Sequence, residues 1–244
     1  MVSRERPGER PGSVRTAVVW DALGPVLSAA PCDVVDIGGG TGGFAVRVAQ
    51  AGHRVTVVDP SPDALAALAR RAREVGVEVA GHQGDVSGLL DVVGTDSADL
   101  VLCHGLLEVV DAGEALATIR KVLRPGGTVS ILVAQRHAAV VARAMAGHLH
   151  QALALLDGDE QAERAGRASR PTRRFTAAEL GALVEQAGFA VSAVHAVRVF
   201  TDLVPGSLLD HEPGAVAALV DLERAVAELP EYLPLATQIH LLAT

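Results

Sequence analysis

The stretch VDIGGGTGG (residues 35–43) joins a short apolar segment to the beginning of a helical pattern. A turn this rich in glycine lets a ligand approach the backbone closely, because no Cβ atom intervenes. Gly38, Gly40 and Gly43 satisfy the spacing G-x-G-x-x-G of nucleotide-binding α/β proteins. The stretch therefore predicts an α/β fold with a ligand at this turn.

Apolar strand patterns alternate with helical patterns on both sides of the glycine loop. Strands are predicted at residues 34–37, 54–59, 77–82, 99–104 and 128–134, with helices at 44–51, 61–74 and 114–123 between them. Five such alternations with right-handed crossovers indicate a doubly wound, mostly parallel sheet.

The second half of the chain departs from this alternation. A helix is predicted at 137–156, followed by a connector at 164–174 that holds five arginines and no acidic residue. Further predicted elements are a helix at 175–187, a strand at 191–200, a helix at 215–229 and a closing strand at 238–242. We expect a flexible arm over residues 1–12 and a single domain over 13–244, with 137–174 inserted as a helical cap.

Composition and charge exclude several classes of protein. The formal net charge of −8 argues against phosphate binding by the whole surface, and six aromatic residues in 244 leave few stacking platforms for single-stranded nucleic acid. Cys32 and Cys103 define no disulfide framework, and the histidines have no acid or cysteine at helical spacing to complete a metal site. No apolar run reaches the ~18–20 residues of a membrane span. We therefore expect a soluble, cytoplasmic protein without a metal.

Three acidic residues follow three successive predicted strands. Asp36 precedes the glycines, Asp59 ends the second strand, and Asp85 follows the third. A carboxylate beside the glycines disfavours a pyrophosphate but suits a cationic ligand, Asp59 is placed to accept both ribose hydroxyls, and Asp85 suits an adenine amine. This pattern favours S-adenosylmethionine over a nicotinamide dinucleotide. The alternative is that the acids only cap helices and turns.

Residues 13–135 resemble the class I S-adenosylmethionine-dependent methyltransferases. The resemblance lies in VVDIGGGTGG, Asp59, GDV (84–86), LVLCHGLLEVV (100–110) and VLRPGGTVSIL (122–132). It implies a Rossmann-like sheet of seven strands, mostly parallel, with the last strand antiparallel.

A narrower resemblance covers almost the whole chain. The segments VRTAVVWDALGPVL, LVEQAGFAVSAVHAVRVFTDL and LPLATQIHLLAT are similar to the family that methylates the carboxylate of 5-carboxymethoxyuridine at the wobble position of tRNA. The resemblance implies these cofactor-binding residues: Arg15, Gly39, Gly40, Asp59, Asp85, Val86 and His104. The residue pattern adds Asp36 and Gly38. After the fifth strand the family shows an aromatic-Asn pair, where this chain has Ala134-Gln135.

Methyl transfer needs mainly proximity and orientation, because the sulfonium already activates the methyl group. A carboxylate acceptor needs no base, but a cationic side chain would position it. Arg198 is the candidate for this role, because it matches the family and interrupts a predicted apolar strand. His104 is the candidate base for a hydroxyl acceptor. The arginines of 164–174 are candidates for tRNA phosphates. A small-molecule acceptor and a non-catalytic cofactor-binding module remain as alternatives.

Overall fold

The structure, a computed structural model, describes residues 14–156 and 173–244. Its seven strands are β1 (Asp33–Ile37), β2 (Arg54–Asp59), β3 (Ala80–Gln83), β4 (Ala98–His104), β5 (Leu123–Ala134), β6 (Val191–Val197) and β7 (Gln238–Ala243). The helices of the first half are α1 (Ala17–Ala29), α2 (Ala45–Gln50), α3 (Pro62–Glu74), α4 (Leu89–Val93) and α5 (Ala112–Val122). Those of the second half are α6 (Arg136–Met145), α7 (Leu149–Leu156), α8 (Ala177–Gln186), α9 (Gly206–His211) and α10 (Ala215–Val226).

All seven strands form one sheet in the order β3-β2-β1-β4-β5-β7-β6. The pairs among β1 to β5 are parallel, and β7 runs antiparallel to both β5 and β6. The predicted seven-stranded, doubly wound architecture with an antiparallel last strand is confirmed. Because the strand order reverses between β1 and β4, the glycine loop lies at the switch point where such sheets bind ligands.

Two apolar layers cover the sheet, which explains why its central strands alternate little in polarity. Helices α4, α5 and α8 pack on one face, against side chains such as Val101, Ile131 and Leu241. Helices α1, α2 and α3 pack on the other face, against side chains such as Val57 and Leu102. Burying each such Leu or Val stabilises the fold by about 1.5–3 kcal/mol.

Several predicted boundaries are wrong in the second half. The helix predicted at 137–156 is two helices, α6 and α7, because Gly147 adopts a φ of +79° between them. The strand predicted at 191–200 ends at Val197. The short helices α4 and α9 were not predicted, since five or six residues carry too little periodicity. Of the predicted cap at 137–174, residues 157–172 lie outside the described part, as do residues 1–13 with the predicted arm.

The C-terminal ends of the parallel strands share one edge of the sheet. Strand β6 ends there too, because Val197 pairs with Gln238, which in turn pairs with Ala134 at the end of β5. The glycine loop after β1, Asp59, His104 and Arg198 therefore all lie at this edge. Among the described helices, none is long and apolar enough to cross a membrane.

Candidate active site

The shape of the glycine loop depends on residues without side chains. Gly38, Gly40 and Gly42 have φ angles of +71°, +55° and +77°, which L-residues with a Cβ rarely adopt. At Gly39 the reason is space, since a Cβ atom there would lie 2.5 Å from Oδ2 of Asp36. The loop is closed onto β2 by a hydrogen bond of 2.8 Å from the Gly38 N–H to the Val58 carbonyl.

Asp59 ties the loop to the next strand. Its Oδ2 accepts a hydrogen bond of 2.8 Å from the Gly40 N–H, and its Oδ1 accepts one of 2.8 Å from the Ser61 N–H. Each carboxylate oxygen can accept a further bond. Asp59 is therefore held in one orientation with an acceptor position left on each oxygen, which suits the two hydroxyls of a ribose.

Asp36 is buried, with 3% of its surface exposed. Burial and the neighbouring charge of Asp59 raise the pKa of its carboxyl group to about 7. A bound cation would stabilise the ionised form and lower this pKa. The pair of acids thus suits a ligand that carries a positive charge.

Asp85 is exposed and stabilises the turn after β3. Its Oδ1 accepts hydrogen bonds from the Ser87 N–H at 3.0 Å, from the Ser87 hydroxyl at 2.5 Å and from the Gly88 N–H at 3.3 Å. These bonds hold the pKa of Asp85 below its usual value, with the Ser87 side chain as the largest cause. The neighbouring Val86 packs against the core below α4. The adenine-binding role of this pair stays a prediction.

His104 ends β4, beside the strand that carries the glycine loop. Its Nε2 lies 2.8 Å from the Ser130 hydroxyl, and its ring meets Phe44 edge-on with 4.8 Å between centroids. Desolvation lowers the pKa of His104 to about 4, so the ring is neutral at pH 7. Its Nδ1 is buried and has no hydrogen-bond partner among the described residues.

Arg198 does not interrupt a strand, contrary to the expectation from the sequence. It follows β6 in a turn with a φ of +62°, a strained conformation for a residue with a side chain. Its guanidinium donates a hydrogen bond of 2.6 Å to Asp202, which also accepts one of 2.9 Å from the Thr237 hydroxyl. The side chain is thus fixed at the C-terminal edge by an ion pair, and its role toward an acceptor remains a prediction.

Glu223, on α10, is a site-building residue that sequence reasoning missed. It is 1% exposed and accepts four hydrogen bonds, from the N–H groups of Val199, Phe200 and Thr201 and from the Thr201 hydroxyl. A buried carboxylate with four donors holds the turn that contains Arg198. The only signal in the sequence is one acid at a buried position of an amphipathic helix.

The end of the arginine-rich connector also lies at this edge. Phe175 is fully buried, its N–H donates to the Ala134 carbonyl at 3.0 Å, and its carbonyl accepts from the Arg136 N–H at 2.9 Å. The Arg173 N–H donates to the Glu108 carbonyl at 2.9 Å, and its guanidinium stacks 4.7 Å from the Phe175 ring centroid. Residues 173–175 are thus fixed beside the end of β5.

Glu108, after β4, is a second acid that sequence reasoning did not single out. Its Oε1 accepts a hydrogen bond of 2.5 Å from the Ala134 N–H. Burial raises its pKa, although this bond and the charge of Arg174 oppose the shift. The edge therefore presents acids near the glycine loop and, at the end of β5, Glu108 beside the arginines of the connector.

These residues fit S-adenosylmethionine, which carries a ribose and two cationic groups. Asp59 keeps an acceptor position on each carboxylate oxygen, Asp36 and Asp59 favour a positive charge, and Gly39 leaves room for the Asp36 carboxylate. Arg15 lies in the single helical turn Val14–Thr16 before α1. Among the described residues, no group of three His, Cys, Asp or Glu could hold a metal ion.

Comparison with known proteins agrees with this fit. Residues 34–127 match the methyltransferase-domain family. A methyltransferase structure from Methanosarcina mazei superposes with a TM-score of 0.64 at 16% identity, covering 91% of this chain and 95% of that one. Another, from Mesorhizobium loti, has a TM-score of 0.60 at 18% identity, with coverages of 94% and 99%. These two likenesses show the fold.

The methyltransferase-domain match, together with this site, identifies the chain as an S-adenosylmethionine-dependent methyltransferase, and hence as an enzyme. Along its full length it is similar to the tRNA 5-carboxymethoxyuridine methyltransferase of Escherichia coli K12, with 28% identity over 99% of this chain and 92% of that protein. A ubiquinone biosynthesis O-methyltransferase of Caulobacter sp. K31 is 34% identical over 115 residues, which cover 47% of this chain and 45% of the relative.

Proposed function

We propose that this enzyme methylates the carboxylate of 5-carboxymethoxyuridine at the wobble position of tRNA, forming a methyl ester. The observation that carries the proposal is the extent of the similarity. It covers 99% of the chain and so includes the half after β5, whereas the ubiquinone-pathway relative matches less than half of the chain. In doubly wound enzymes of this kind, the cofactor motifs alone do not specify the acceptor.

The arginine-rich connector supports an RNA substrate. Arg173 and Arg174 are held beside the end of β5, at the edge where the cofactor motifs converge. Arg164, Arg167 and Arg170 precede them in the sequence and lie outside the described residues. Five arginines suffice for a local phosphate footprint even on a chain with a net charge of −8.

Arg198 is the proposed ligand of the acceptor carboxylate. Its guanidinium offers a planar pair of donors, which match a carboxylate in a bidentate arrangement. In the structure one of these donors binds Asp202, and Nε is buried without a partner among the described residues. An acceptor carboxylate would therefore bind at Nε or replace Asp202.

Bound S-adenosylmethionine supplies a methyl group that its sulfonium already activates. The residues of this chain then have to hold the acceptor oxygen in line with the methyl carbon and exclude water. An ionised carboxylate needs no deprotonation. The proposed roles are therefore those of positioning residues.

Bulk tRNA that carries 5-carboxymethoxyuridine, offered with S-adenosylmethionine, tests the proposal. Nucleoside mass spectrometry should detect the methyl ester. Replacing Arg170, Arg173 and Arg174 by Ala should weaken tRNA binding and reduce the salt slope by about 1 for each phosphate that the variant no longer binds. The control triple variant, Arg70→Ala with Arg73→Ala and Arg120→Ala, has the same charge change and should leave the slope unaltered.

A small carboxylate or hydroxyl compound is the second candidate acceptor. Its support is the net charge of −8, the scarcity of aromatic residues and the similarity to the O-methyltransferase of Caulobacter. If the enzyme methylates no tRNA but does methylate a small acceptor, this candidate is favoured and the tRNA proposal is rejected.

A further inference from the structure

A continuous row of polar side chains crosses one face of the otherwise apolar sheet. Nε2 of His104 lies 2.8 Å from the Ser130 hydroxyl, which lies 2.8 Å from Nε2 of His240. Nδ1 of His240 lies 3.1 Å from Nδ1 of His195, and Nε2 of His195 lies 3.8 Å from a carboxylate oxygen of Glu228. The row passes from β4 through β5 and β7 to the edge strand β6.

The row connects a buried position with solvent. Ser130, His240 and His195 are buried, whereas the Glu228 side chain is 84% exposed. His195 and Glu228 line an open cleft of about 520 Å³ between α1, α10 and β6. Asp21 and Arg224 line the same cleft, but they bind each other at 2.7 Å. Among the residues that the structure describes, Glu228 is thus the charged group in contact with the row.

The chemistry of the row suits proton transfer. Burial lowers the pKa of all three histidines, for His104 to about 4, so each ring is neutral at pH 7. A neutral imidazole has one donor and one acceptor nitrogen, and a hydroxyl can donate and accept at the same time. If His104 carries its proton on Nε2, Ser130 and His240 can each donate to the next member, and His195 holds its proton on Nε2, 3.8 Å from Glu228. Nδ1 of His104 is then left as an acceptor.

That nitrogen is the inner end of the row. It is buried and has no partner among the described residues, at the sheet edge that carries the glycine loop and Asp36. Buried polar atoms normally have a hydrogen-bond partner, so an orphaned one needs an explanation. A group of the bound acceptor that donates a hydrogen bond to Nδ1 would provide it.

We propose that His104, Ser130, His240 and His195 form a proton path from the methyl acceptor to Glu228. The acceptor O–H proton passes to Nδ1 of His104, and the proton on Nε2 passes to the Ser130 oxygen. The Ser130 proton passes to Nε2 of His240, and the proton on its Nδ1 passes to Nδ1 of His195. The proton on Nε2 of His195 passes to Glu228 once this exposed side chain moves from 3.8 Å to hydrogen-bond distance. The acceptor oxygen bonds to the methyl carbon, and the C–S electron pair returns to sulfur.

The inference deepens the proposed function. Only the second experiment below, which measures methyl transfer to tRNA, rests on that function. Before it reaches Arg198, a carboxyl group that enters beside the buried Asp36 and the half-buried Glu108 would itself be desolvated, which favours the protonated acid that cannot act as a nucleophile. The path would restore the carboxylate. It would serve a hydroxyl acceptor in the same way.

The first experiment needs no acceptor. In the full chain labelled with ¹⁵N-histidine, NMR reports which nitrogen of each ring carries the proton, with and without S-adenosylhomocysteine. Glu228→Gln should change the nitrogen signals of His104, although Glu228 contacts only His195 of the row. Ser130→Ala should abolish that response, and the exposed control Glu231→Gln should not produce it. Unchanged His104 signals in Glu228→Gln would overturn the path.

The second experiment measures single-turnover methyl transfer to tRNA that carries 5-carboxymethoxyuridine. Ser130→Ala should lower the rate by about 100-fold, the size typical of acid–base catalysis, and should leave the Kd of S-adenosylhomocysteine within about twofold. A rate equal to that of the wild-type enzyme would overturn the catalytic role. If the wild-type enzyme methylates no tRNA, the proposed function fails while the NMR result still decides whether the path exists.

Discussion

The two halves of the candidate active site lie at one edge of a single sheet but are held together differently. In the glycine-loop half, Asp36, Gly38 and Gly40 lie within five consecutive residues and bind to the adjacent strand β2. In the half after β5, the turn with Arg198 is held by Glu223, and residues 173–175 are held by β5 and by the loop with Glu108. The geometry of the first half is therefore determined by residues that are close together in the sequence. The geometry of the second half depends on contacts between distant parts of the chain.

The largest expected effect concerns Glu223. Replacement by Ala removes four hydrogen bonds to a buried carboxylate and leaves three backbone N–H groups without their acceptor. We expect the free energy of unfolding to fall by about 4 kcal/mol, since each bond to a charged group contributes roughly 1.5–3 kcal/mol and the contributions are not additive. Urea unfolding measures the change. The exposed Glu185→Ala on α8 should change it by less than about 0.5 kcal/mol; equal effects would contradict the role of Glu223.

The matching change in the local half is Asp59→Ala. It removes the predicted acceptor of the ribose hydroxyls and the bonds from Gly40 and Ser61. We expect the affinity for S-adenosylhomocysteine to fall about 100-fold, as two charged hydrogen bonds of roughly 1.5 kcal/mol each imply. Calorimetry compares it with Asp63→Ala, an exposed acid in the first turn of α3. An affinity within threefold of wild type would remove Asp59 from the cofactor site.

The pH dependence of stability should differ in sign between Asp36, before the glycine loop, and His104, at the end of β4. The folded protein retains the Asp36 proton to about pH 7, whereas an unfolded Asp loses it near 3.8. The contribution of Asp36 to the free energy of unfolding therefore falls as the pH rises from 4 through 7. Asp36→Asn should remove this fall. At pH 8 the free energy of unfolding of the variant should exceed that of wild type by about 1–3 kcal/mol. Unfolding curves at pH 5 to 8 test it, and Asp63→Asn should keep the wild-type slope.

The histidine row contributes the opposite slope. His104 has a folded pKa of about 4 against an ordinary value of 6.5, so the unfolded chain binds more protons in between. The contribution of His104 to the free energy of unfolding is complete above pH 6.5 and is lost as the pH falls toward 4. His104→Gln should flatten the acid side of the stability profile between pH 4 and 6.5. An acid side as steep as that of wild type would mean that His104 is not neutral in the fold.

The smallest effect separates binding from turnover. Arg198→Ala should leave the Kd of S-adenosylhomocysteine within about twofold and lower the rate of methyl transfer by about tenfold, through the loss of one charge-assisted hydrogen bond to the acceptor. Arg120→Ala on α5 serves as the control. A loss of cofactor affinity equal to the loss of rate would place Arg198 in the cofactor half.

The sequence predicted the parts whose physics is local. Glycines at positive φ, an acid at the end of a buried strand and short apolar segments between helices are each decided by neighbouring residues. The doubly wound parallel sheet and the placement of Asp59 beside the loop therefore followed from the pattern, whereas the count of seven strands came from the family resemblance. The predicted helix at 137–156 failed for a local reason as well, because Gly147 in a left-handed conformation ends α6.

Only the tertiary structure decided the other half of the site. Glu223 lies 24 residues from the first N–H group that it binds, and Ser130 lies 110 residues from His240. The sequence pattern around a buried acid on a helix is the same whether or not a hydrogen-bond donor faces it. The same is true of a histidine in a strand. Their partners are set by strand order, which places β7 between β5 and β6 and aligns four polar side chains on one face. Hydrogen bonds act over about 3 Å, so only the folded chain determines which of these groups meet.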